Sequence, residues 1–144
     1  MTSVQSTTVE ARTASPRVRS EGLDADNQDS SVLEMLFHEA LHTYTDSVDS
    51  ALKSAAVRQH ATVPLDLVHA LIFYTAGELT RRELGTSEAY VLYAQRFGIW
   101  TRGAFPRYLP IVRDEWQPYL DGRRSFADAI DAIVRRVAGA GPGI

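Results

Sequence analysis

The chain has 144 residues, 44% of them hydrophobic and 23% charged, which is room for one globular domain of ordinary composition. Its formal charge of −3 argues against a general nucleic-acid binder, which would carry a basic patch. There is no cysteine, so disulfides, thiolate zinc sites, iron–sulfur clusters and a cysteine nucleophile are excluded, and any metal falls to Asp, Glu or the four histidines.

Residues 1–31 hold ten Ser/Thr and eight charged residues among single apolars such as Val4, Val9, Val18 and Leu23. Such a stretch cannot bury enough surface to offset its ordering entropy, so residues 1–29 are expected to form a disordered polar tail. It lacks the continuous apolar segment of a secretory signal, and a cytoplasmic location is the default expectation. The domain proper is expected over 30–139, with 140–144 a flexible end. Ser31-Val32-Leu33-Glu34 has the spacing of a capping box. From there Val32, Leu33, Met35, Leu36, Phe37, Ala40, Leu41, Tyr44, Val48 and Leu52 keep helical spacing to about Arg58, with a break expected near Asp46–Asp49. Pro64 suits the first turn of a second helix, Leu65 to Leu84, closed by Gly85. Ten of the fifteen residues 65–79 are apolar and lie all round the cylinder, which predicts a helix buried in the middle of the domain. Asp66, His69 and Glu78 interrupt it too often for a membrane span.

Tyr90-Val91-Leu92-Tyr93-Ala94 fits a short strand or part of a helix. Gly98, Gly103, Pro106 and Pro110 are expected to break up an aromatic-rich loop with Trp100, Phe105 and Tyr108. A short helix is expected over Ile111–Trp116, stopped before Pro118. Asp121-Gly122 makes a turn, and Ser125 caps a last amphipathic helix that turns Phe126, Ala129, Ile130, Ile133, Val134 and Val137 inward. The class is mainly α: a compact helical domain around two central helices, with a short or absent β element.

One motif carries chemistry. His38-Glu39-Ala40-Leu41-His42 is an HExxH match on a predicted helix. Residues four apart share a face with Cβ atoms about 5–6 Å apart, so both imidazoles can converge on one Zn2+ ion at about 2.0–2.1 Å. Glu39 points to the side, toward a water on the ion's open position, where it can act as general base. His69 is a further histidine on the buried helix, a candidate third ligand and otherwise an oxyanion donor. It precedes Glu78 by nine residues, which at about 100° per residue puts the two on opposite sides of a straight helix, so one ion is not expected to take both. Tyr74, Tyr90 and Tyr93 are candidates for stabilising an oxyanion. His60 reads as a surface residue at a helix end. The pairs Arg81-Arg82, Arg123-Arg124 and Arg135-Arg136 read as solvated faces or helix-terminal charges.

The run His38-Glu39-Ala40-Leu41-His42-Thr43-Tyr44-Thr45-Asp46 resembles the HExxH zinc metallopeptidases, the zincins, and is close to the thermolysin-like pattern HELTHAVTD. A metzincin would need Gly and a ligand where this chain has Thr45 and Val48, and a peptide deformylase would need a Cys ligand. Gly77-Glu78 resembles the third-ligand segment of the neprilysin-like gluzincins. That resemblance implies a zinc site of His38, His42 and Glu78, with Glu39 catalytic; the residues themselves add His69 and Tyr93 as candidate catalytic groups. Those families place an Asp where this chain has Arg82, so support for the ligands would come from Asp46 or Asp49, or be absent. The segments His69 to Glu78 and Trp116 to Gly122 are also similar to uncharacterised bacterial HExxH proteins, a similarity covering roughly 26–137.

Two functions follow as expectations. The first is a zinc-dependent hydrolase, peptidase-like, acting on a peptide or protein. The sheet that zincin peptidases place before the HExxH helix has no counterpart in this sequence, so a partner chain could supply the substrate-binding edge. The alternative is a catalytically degenerate zincin-like module that binds metal or a protein partner. Neither nucleic acid nor membrane is an expected partner.

Overall fold

A computed structural model describes residues 17–85 and 90–141, with side chains from residue 29 onward. Helix α1 spans Arg17–Leu41 and passes through a 3-10 turn, His42–Tyr44, into α2, Thr45–Arg58. Helix α3 covers Leu67–Leu84 and the short α4 covers Tyr93–Arg96. A second 3-10 turn, Ile99–Thr101, leads to α5, Phe105–Glu115, α6, Gln117–Leu120, and α7, Phe126–Gly139. The described residues contain no strand, so the fold is mainly α, and of Tyr90–Ala94 only Tyr93 and Ala94 enter a helix while 90–92 are irregular. No described helix is long and apolar enough to cross a membrane.

α3 is central, as its all-round apolar character requires. It packs against α1, α2, α4 and α5, and it buries Leu67, Val68, Ala70, Leu71, Ile72 and Ala76. Leu52, Val112, Ile133 and Val134 from α2, α5 and α7 complete a core with no accessible surface at these four side chains. Its polar atoms are satisfied internally: Trp116 donates its indole N–H to Thr75 Oγ1 at 2.9 Å, and Thr75 donates to Leu71 O at 2.7 Å. α3 stops at Gly85, whose φ of +70° lies in the region that favours glycine. α7 follows its sequence closely, with Ser125 Oγ accepting the Asp128 N–H at 3.1 Å and the predicted apolar face turned inward.

Helix α1 starts at Arg17, and residues 1–16 and 142–144 lie outside the described residues. Three expectations are corrected. The capping box does not form, because Ser31 and Glu34 sit inside α1, where no helix end needs a cap. The break after the HExxH segment falls at 42–44, ahead of Asp46–Asp49. Thr43 Oγ1 bonds Ala40 O at 2.6 Å, a local side-chain bond that competes with the helical ladder. Finally, Pro106 and Pro110 lie within α5 and not in a loop. Pro106 occupies the first turn, where a missing N–H costs nothing, and Pro110 follows one turn later at the cost of one ladder bond.

Glu34 has a different task from capping. Its side chain is buried, accepting the Tyr90 hydroxyl at 2.5 Å and the Tyr93 N–H at 2.8 Å, and so fastens the chain after α3 onto α1. Burial pushes its carboxyl above the usual range, against the lowering effect of those two bonds and of Arg81. A carboxyl raised on folding adds stability at low pH that is lost as pH climbs through its folded value. Glu34→Gln keeps an acceptor and removes the titration. Between about pH 4 and 8, wild type is expected to lose stability relative to this variant as pH rises, measured by urea unfolding at each pH.

Candidate metal centre

α1 and α3 meet in antiparallel register, and three positions spaced four residues apart define the line of contact. Glu34 lies opposite Gly77, where an added Cβ would stand 3.6 Å from its Oε1 and 3.1 Å from Leu92 Cδ1. One turn along α1, the His38 ring packs on Phe73 with centroids 4.4 Å apart. Another turn along, His42 meets His69 edge to face at 5.1 Å. The stripe 34, 38, 42 therefore faces the stripe 77, 73, 69, the neighbour pattern of helical residues four apart.

This register gathers His38, His42 and His69. One ligand-capable atom from each lies within 4.8 Å of the others, a group that could hold a metal ion. The Nε2 atoms of His38 and His42 are 3.1 Å apart. Two nitrogens bound to one tetrahedral zinc at the usual bond length would be about 3.3 Å apart, so the pair is nearly preset for a shared ion. His38 is buried, His42 half-buried and His69 exposed, so the group opens toward solvent on the His69 side. Burial lowers the His38 pKa, helped by the neighbouring His42 and His69 and opposed by the Glu39 charge. The neutral imidazole, with a free lone pair, is the form that binds a metal.

The outer contacts are uneven. Thr45 Oγ1 lies 3.4 Å from His42 Nδ1 and orients that ring. His38 Nδ1 is buried with no hydrogen-bond partner, so packing on Phe73 and the Nε2 contact with His42 fix its ring. Neither carboxylate expected to support the ligands does so: Asp49 pairs with Lys53 at 2.5 Å, and Asp46 is exposed.

Glu78 lies away from the group. Its carboxylate accepts from Arg81 at 2.9 Å and lines a separate cavity with Tyr74 and Arg113. The half-turn offset between His69 and Glu78 explains this, since turning one toward α1 turns the other away. Arg82 is engaged elsewhere, with Leu120 O and Asp121 at the far end of α3. Glu39 is exposed, without a hydrogen bond or ion pair, and borders a shallow hollow with Met35 and Leu36. Tyr93 stacks on Phe73 at 6.5 Å and on Phe97 at 4.5 Å, so Phe73 is shared between it and His38. The hydroxyls of Tyr74 and Tyr90 are committed to Gln117 and Glu34. His60 ends α2 in a left-handed conformation, φ 52°, exposed and apart from the group.

Thr45, Phe73 and Gly77 are the contributors that sequence reasoning did not single out. Their signal is the four-residue step itself, since 73 and 77 continue the His69 stripe. No protein-family profile, characterised protein or solved structure matches this chain.

The geometry predicts which side chain completes the group. His69→Ala is expected to lose bound zinc or cobalt, whereas Glu78→Gln keeps wild-type stoichiometry. Metal analysis after dialysis against each ion checks both, and loss of metal from Glu78→Gln alone would reverse the assignment.

Proposed function

We propose that the chain is a zinc-dependent hydrolase whose metal is held by His38, His42 and His69, with Glu39 as general base. The observation that carries this reading is the convergence of three histidines from two helices on one point open to solvent. Three protein ligands with a free position is the arrangement of catalytic zinc sites, whereas structural sites are closed by a fourth ligand. Nitrogen ligands and the lack of thiolates suit zinc, and a bound zinc ion would supply Lewis acidity and a water acidic enough to ionise near neutral pH.

The chain's own residues divide the remaining work. Glu39 follows His38 directly on α1 and is held by no other group, so its carboxylate is free to take a proton from an attacking water. The same proton would return to the leaving nitrogen or oxygen as the bond to the carbonyl carbon breaks. Thr45 aims His42, and Phe73 holds the His38 ring. Similarity of the HExxH run to the zincins supports the same roles for His38, Glu39 and His42. The His69 ligand sets this proposal apart from the gluzincin arrangement with Glu78.

Among the described residues there is no strand along which an extended peptide could pair. This favours a second reading, a metal-binding module without turnover, or a hydrolase whose substrate edge comes from a partner chain. Glu39→Gln separates these. The variant is expected to keep its zinc and lose about 10²–10⁴-fold in hydrolysis of a fluorogenic peptide pool or of nitrophenyl esters. Wild-type zinc binding with no Glu39-dependent turnover of either substrate would leave the module reading in place.

A further inference from the structure

Beside the histidine group lies a pocket of about 320 Å³ that the metal chemistry does not use. Its walls include Val48, Val68, Leu71, Ile72, Trp116 and Phe126, and no charged side chain lines it. Of its hydroxyl-bearing walls, Thr75 Oγ1 is committed to Leu71 O and the Trp116 indole and Thr45 Oγ1 to His42, while Tyr44, Ser47 and Tyr119 also line it. The pocket opens to solvent, and its mostly apolar walls give water few partners. The volume is about twice that of the engineered apolar cavity that takes up benzene. It reaches the lower end of small-molecule sites.

We propose that this pocket is a binding site for the uncharged aliphatic chain, of medium length, of a small molecule. The lining selects the class: its walls are mostly apolar and carry no charged side chain, so a charged group would lose its hydration and find no counter-charge. Leu41 and Thr45, which flank His42 at the α1–α2 junction, both line the pocket. Tyr44, 63% exposed, lines it as well, where its ring can cover part of a ligand. On α3 the same arrangement recurs, with Val68 preceding His69 and Ile72 one turn beyond it. A ligand seated here therefore lies against both helices that carry the histidines. The site does not depend on the metal reading, because none of its walls is a histidine.

Octanamide is a suitable probe and Trp116 a built-in reporter, read in a Trp100→Phe background. A saturable change in Trp116 fluorescence is expected, with butanamide about 100-fold weaker because it buries about four fewer methylenes. Val48→Phe, which adds a ring to the wall, should weaken octanamide by about tenfold or more, with circular dichroism confirming the fold. In the unaltered chain, nuclear Overhauser contacts should join the octanamide methyl to the Trp116 and Phe126 rings, a readout that needs no variant. His69→Ala should retain octanamide affinity within about twofold, so failure of zinc to bind leaves this test standing. Absence of both saturation and ring contacts, or equal affinity for butanamide, overturns the proposal. Binding that emerges only after deletion of residues 1–16 also overturns it, by assigning the pocket to the chain's own N-terminal segment.

Discussion

The register between α1 and α3 is the constraint on which the rest of the molecule depends. Glu34, His38 and His42 face Gly77, Phe73 and His69, and each contact sets the next because both helices advance by four residues per step. Gly77 makes room for the chain that follows α3, since a methyl there would press on Leu92 at 3.1 Å, whereas it would meet Glu34 on α1 at an ordinary 3.6 Å. The histidine group is not an added feature of a prebuilt fold. It is the open end of the principal helix contact, and a rotation of α3 by half a turn would turn His69 away from it.

The same packing divides the charges. Basic and acidic side chains near the α3 C-terminus are spent on one another: Arg81 on Glu78, Arg82 and Arg123 on Asp121, and Arg124 and Arg136 on Glu115. Such exposed pairs add little to stability. They do, however, commit Glu78 to Arg81, away from the histidines. Along α1 the buried Glu34 holds Tyr90 and the Tyr93 N–H, which brings the Tyr93 ring onto Phe73 and Phe73 onto His38. One carboxylate, Glu34, is thereby buried and used for architecture while Glu39 is left exposed, a distinction made by which face of α1 each occupies.

Much of this was legible in the sequence, and the exceptions have physical causes. Periodicity revealed α3 and α7 because their apolar patterns follow from burial, and the Ser125 cap is a local signal. The first two histidines were legible because residues four apart on one helix need no tertiary information. The third was not, since choosing His69 over Glu78 requires knowing which face of an all-round apolar helix meets α1. Glu34 was misread for a similar reason: Ser-x-x-Glu is a local pattern, and a helix that already begins at Arg17 removes its meaning. Pro106 and Pro110 read as loop markers because local rules count each against a helix. In α5 the first costs nothing, and burial of Tyr108, Ile111 and Val112 outweighs the second.

The turn at 42–44 connects these levels. A helix continuing straight past His42 would carry Thr45 on along the α1 face and leave no opening between α1, α2 and α3. Thr43 bonding back to Ala40 O ends the regular ladder, and Thr45 then starts α2 with its hydroxyl facing the His42 ring. The bend therefore aims a histidine on one side and leaves an apolar hollow on the other. The two features share Leu41 and Thr45 as walls and neighbours, so a change in the bend must be felt at both. Thr43 and Thr45, residues of low helix propensity at a place where the apolar pattern alone would continue a helix, are the sequence feature from which both follow.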